Sequence, residues 1–194
     1  MKLPIKAISL RTIMLAIGTM AIGNSLVVNA EEKSGFKEDA TMVALVNLHP
    51  DKKRKVLYAL NYQLPSMIPM CATVKIEDIS KKEIEFVYEG MTYRYLWDKH
   101  TKSAGQSLEQ NFKQYFGSSC DKAKVASLSQ TDQNGIKSGQ PKVGMTKEGI
   151  LFTMGRPPIH ATPSLDGNTW MYWSNKWARK AIDFNEKGVV TQIR

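Results

Sequence analysis

Gly144-Met145-Thr146-Lys147-Glu148, followed by Leu151, by Gly155-Arg156-Pro157 and then by Asp166-Gly167-Asn168-Thr169-Trp170-Met171-Tyr172, is the stretch on which the reading of this chain turns. Thr146 is placed to accept hydrogen bonds from the amides of the following turn, and Glu148 puts negative charge at the positive end of a helix. Ile150, Leu151 and Met154 supply an apolar stripe. Gly155 tolerates a left-handed stop, and Pro157 and Pro158 cannot continue the ladder. The result is a helix of two turns, too short to be stable without packing.

Downstream, Thr169 to Ser174, Trp177 to Phe184 and Val189 to Arg194 read as three strands, separated by turn residues at Asn175-Lys176 and at Asn185 to Gly188. They predict an antiparallel meander whose Ile182 and Phe184 face meets the helix. Gly144, Met145, Thr146, Gly155, Pro157, Trp170 and Tyr172, in this order of elements, make residues about 140–194 similar to the SmpA/OmlA (BamE-like) family. That resemblance implies helices on one face of a three-stranded sheet. It also implies a non-catalytic role in outer-membrane protein assembly, through contacts with partner proteins and anionic lipid. Gly149 departs from the pattern, because a better helix former would serve there. The same architecture occurs in exported inhibitors of β-lactamase, so the alternative expectation is an exported protein inhibitor of an enzyme.

Upstream, the pattern is β. Residues 55–99 alternate apolar and polar positions, with Val56, Tyr58 and Leu60, then Val74 and Ile76, then Ile84, Phe86 and Tyr88. Gly90 suits a tight turn between the last two strands. Four such strands predict a small antiparallel barrel or curled sheet. Ser107 to Phe116 carries Leu108, Phe112, Tyr115 and Phe116 at helical spacing, with Ser107 as N-cap. Met42 to Leu48 fits either a strand or a turn of helix. Asp121 to Gln140 loses its large apolar residues and reads as a linker. The fold class expected is therefore α+β, with a flexible 31–50, a β-rich module over 51–120, a linker over 121–139 and the SmpA/OmlA-like unit over 140–194.

The first thirty residues have the layout of a secretory signal: Lys2, Lys6 and Arg11, an apolar run from Ile13 to Ile22, then Val28-Asn29-Ala30. Cleavage after Ala30 is expected, which places the mature chain in the periplasm or cell envelope. With no cysteine near that point, lipidation is not expected. Loss of those three basic residues takes the net charge from +9 to +6. A basic exported surface favours anionic partners, and the run Lys52-Lys53-Arg54-Lys55 is the candidate for anionic lipid. Nucleic acid is not an expected partner, because no recognition motif is present.

Trp170, Tyr172, Trp173 and Trp177, with Arg156 and Arg179, form the candidate partner surface, since aromatic and Arg side chains dominate binding hot spots. Neighbours on a strand alternate sides, so one strand cannot bury all of these aromatics on one face, and either Trp170 or Trp173 is left on the outer face, as a contact surface or covered by the amino-terminal module or the loop. The two cysteines, Cys71 and Cys120, are candidates for a disulfide once exported. No catalytic motif appears, and His49, His100 and His160 lie in separate segments without metal-ligand spacing. No enzyme activity, metal or cofactor is expected. The run Trp97-Asp98-Lys99-His100 reads as a salt bridge or strand end.

Overall fold

The computed structural model describes residues 36–194, so the expected leader and its cleavage point lie outside the described residues. The described residues form one compact unit of mixed α+β structure. Its first six strands are β1 (Thr41–Ala44), β2 (Val56–Tyr58), β3 (Thr73–Ile79), β4 (Glu83–Tyr88), β5 (Met91–Leu96) and β6 (Phe116–Gly117), in the sheet order β2-β5-β4-β3-β1-β6. All neighbours are antiparallel except β2 and β5, which run parallel. That pairing corrects the all-antiparallel expectation.

The alternation does its work in β3 to β5. Val74, Ile76, Ile84, Phe86, Tyr93 and Tyr95 are buried, and the residues between them are mostly more exposed. Glu89 and Gly90 both have positive φ, the geometry a two-residue hairpin needs. The Tyr95 ring of β5 lies 6.4 Å from Phe116 of β6. Four strand spacings separate those strands, about 19 Å in a flat sheet, so the contact requires the sheet to curl around its core. Helix α2 (Leu108–Phe112), held by a Ser107 and Gln110 capping box, plugs the open side with Phe112 stacked on Phe116 at 4.2 Å. The expected helix stops at Phe112, because Phe116 pairs with Ala44 as a strand residue. A short α1 (Lys99–Ser103) precedes it, capped by the Asp98 side chain, so Asp98 is a helix cap rather than a strand end.

Cys71 and Cys120 form a disulfide with Cα atoms 5.4 Å apart. The segment 41–50, expected as flexible, is part of the core: Met42, Ala44, Leu48 and His49 are all buried, because β1 inserts between β3 and β6.

The carboxy-terminal third holds α3 (Lys122–Ser127), α4 (Gln130–Ser138), α5 (Lys147–Met154) and the meander β7 (Thr169–Trp173), β8 (Arg179–Phe184) and β9 (Val190–Ile193). Residues 121–139, expected as a linker, thus carry two helices. The polar surface of α4 hid it from a periodicity reading, since its inward face is Asp132, Gly135 and Ile136. Asp132 is fully buried and accepts hydrogen bonds from the Thr146 amide at 2.7 Å and the Ser129 hydroxyl at 2.7 Å. This contact explains Gly149, because a Cβ there would stand 1.9 Å from the Asp132 Oδ1. Ile150 and Met154 of α5 share a core with Trp170, Tyr172, Ile182, Phe184 and Val190.

A polar seam joins the two cores. The last turn of a helix leaves carbonyls without intrahelical partners, and in α5 the first half of the chain supplies the donors. Asn47 N–H donates to Phe152 O at 2.9 Å, and Asn61 Nδ2 donates to Met154 O at 2.7 Å and Arg156 O at 2.9 Å. His49 Nε2 lies 3.2 Å from Thr153 O and its Nδ1 3.2 Å from Leu64 O. The Tyr172 hydroxyl donates to Gly155 O at 2.8 Å. Val56, Leu57, Ala59, Leu60 and Asn61 are all buried and Tyr58 is half-buried, where alternation predicted one wet face.

Candidate functional site

The β7–β8 hairpin and the 51–64 segment come together at the end of the seam. Gln63 N–H donates to Trp173 O at 2.8 Å, which docks the loop after β2 against the end of β7. Beyond that bond the two segments diverge into an open groove of about 630 Å³. One bank is Asp51, Lys53 and Arg54. The floor carries Tyr58, Tyr62 and Leu64, and the other bank is the hairpin tip, Asn175, Lys176 and Trp177.

Local chemistry sets each side chain. Asp51 Oδ1 accepts the Arg54 amide at 2.9 Å and closes the basic turn, while its other oxygen stands 3.8 Å from the Arg54 guanidinium. The Tyr58 oxygen and Asp51 together raise the pKa of Arg54 above its ordinary value. Tyr58 and Tyr62 meet edge to face at 5.1 Å. Across the groove, Asn175 Oδ1 accepts from the Trp177 amide at 2.8 Å and the Ala178 amide at 3.0 Å, which fixes the tip. Trp177 is 83% exposed, and Lys176 Nζ stands 4.8 Å from the centre of its ring. An indole so exposed beside a basic bank has surface to offer a ligand.

The structure divides the candidate surface. Trp170 and Tyr172 are 1% and 0% exposed, so both are withdrawn from it. They fall on the β7 face that meets α5, and the hydroxyl and indole N–H are spent on Gly155 O and Leu165 O. Trp173 faces the opposite side, with the Arg179 guanidinium 4.7 Å over its ring. Trp177 lies in the turn, outside the alternation. Of the basic run, Lys53 and Arg54 line the groove. Lys52 borders a neighbouring hollow with Pro50 and Pro65, and Lys55 is exposed but does not line the groove. Arg156 lies apart, beside a small cavity with Tyr115 and His160.

One grouping was not legible in the sequence. His100 of α1 and His160 of the loop before β7 stack at 4.8 Å, and His160 reaches Trp173 at 5.9 Å. Burial, then the neighbouring His100, lowers the pKa of His160. Sixty residues separate the two imidazoles and no local pattern marks either. Among the described residues, no three His, Cys, Asp or Glu side chains converge as metal ligands, and no helix is long and apolar enough to cross a membrane. No family model, no characterised protein and no solved structure gives a significant match to this chain.

Proposed function

We propose that this chain is an exported, non-catalytic binding protein of the bacterial cell envelope that acts in outer-membrane protein assembly or maintenance, and that it engages its envelope partner through the groove between Arg54 and Trp177. The observation that carries this reading is convergence. Two features selected separately in the sequence, the basic run and the tryptophan-rich hairpin, about 120 residues apart, meet across one open groove. The leader-like first thirty residues support export, and the basic surplus supports an anionic component on the partner.

The test is crosslinking in the native envelope followed by mass spectrometry, on the wild type and on Trp177→Ala. Components of the outer-membrane assembly machinery, captured by the wild type and lost in the variant, are expected. Recovery of soluble enzymes alone would favour an exported inhibitor and overturn the assembly role.

A further inference from the structure

Resting on the groove reading above, we infer that the ligand seated between Arg54 and Trp177 is an anionic saccharide, a short run of sugar rings bearing carboxylate or phosphate groups. Three observations select it. First, the groove offers aromatic faces. Trp177 is 83% exposed with Lys176 at one face of its ring, and Tyr58 and Tyr62 form the floor. Flat rings accept the C–H face of a sugar, whose polar edges then point outward.

Second, the charges complement an anion. Lys53, Arg54 and Lys176 line the two banks, against the single carboxylate of Asp51, which already binds the Arg54 turn. An Arg fork suits carboxylate and phosphate alike. Third, much of the backbone on both banks is spoken for. The amides of Asn175, Trp177 and Ala178 bond within the hairpin, and those of Asp51, Arg54 and Val56 bond within the basic turn. A peptide adding as a strand needs an unbroken row of free main-chain groups along an edge, and these internal bonds interrupt such a row on either bank. A lipid tail needs an enclosed apolar channel, whereas this site is an open groove with charged banks. Its volume of about 630 Å³ is that of a small-ligand site.

The experiment titrates four probes into the full mature chain: trigalacturonate, maltotriose, tetraglutamate and phosphatidylglycerol vesicles. Calorimetry reads affinity, and the Trp177 indole N–H resonance reads location. Trigalacturonate is expected to shift that resonance and to bind at least tenfold tighter than maltotriose or tetraglutamate. Trp177→Ala and Arg54→Ala should each weaken it by tenfold or more, with unchanged melting temperatures because both side chains are exposed. Equal binding of tetraglutamate would overturn the saccharide, since charge alone would then suffice. A resonance shift with vesicles only would overturn it in favour of a lipid surface. In both cases dependence on Trp177 would leave the groove reading standing. Trigalacturonate affinity unaffected by Trp177→Ala would overturn the saccharide at this groove, and capture in the envelope likewise unaffected would overturn the groove itself.

Discussion

The curled sheet and the α4–α5 contact are held by different means. The curled sheet is filled with large side chains, Phe86, Tyr95, Phe112 and Phe116 among them, and stapled by Cys71–Cys120. The α4–α5 layer is held by closeness instead: Gly149 lets the Asp132 carboxylate sit against α5, and Gly135 lets Met145 pack against α4. One region draws on volume and a covalent loop, the other on the absence of side chains. The lesson is that the second should fail from a single added methyl, while the first should fail chiefly when its staple is cut.

The comparison breaks first at the disulfide. Its ends are 49 residues apart in sequence, a closed loop whose loss costs about 4 kcal/mol in the chain-entropy model. Cys71→Ser with Cys120→Ser should lower the denaturation midpoint accordingly, and reductant should reproduce the effect in the wild type. An unchanged midpoint would show that the aromatic packing alone holds the sheet.

Next comes Gly149→Ala. In an exposed helix this change stabilises by about 1 kcal/mol, but here the new Cβ meets a buried carboxylate at 1.9 Å. Overpacking of this kind costs about 1–3 kcal/mol, so chemical denaturation should show net destabilisation. Gly135→Ala should cost less, because the atoms it meets first, Met145 Sδ and Cε at 2.4 and 2.5 Å, end a flexible side chain. The reverse order would remove Asp132 from its place as the link between the helices.

The smallest expected effect concerns pH. Burial lowers the pKa of His49 in the seam, and burial with the His100 charge lowers that of His160. The unfolded chain therefore binds these protons more readily than the fold does. Stability is at its full value above the ordinary histidine pKa, about 6.5, and declines as pH falls through the window below it. Melting temperature should drop as pH falls below about 6.5, and His160→Gln should flatten part of that slope. A slope unaltered by that variant would place the acid sensitivity elsewhere.

Much of the architecture could be read from residue order. The α5 caps, the three-strand meander and the alternation in β3 to β5 are local signals, since each depends on residues within a turn or a strand. What escaped was non-local. Helix α4 exposes polar side chains and buries an aspartate, so its amphipathicity is disguised. The parallel pairing of β2 with β5 joins segments about forty residues apart and leaves no local mark. At the candidate site, chemistry was legible and placement was not. Trp177 and Lys53 were chosen for what they are, but the bond from Gln63 to Trp173 that sets them across one groove leaves no local mark. Alternation on β7 requires Trp170 and Trp173 to part, yet it does not say which one meets α5.

The central claim is that the groove is the contact surface, and a photoreactive side chain tests it most directly. Placed at Trp177 in cells, it should yield adducts to an envelope component. The same group at Lys122, exposed and outside the groove, should yield none. Equal labelling from both positions, or labelling from Lys122 alone, would contradict the account.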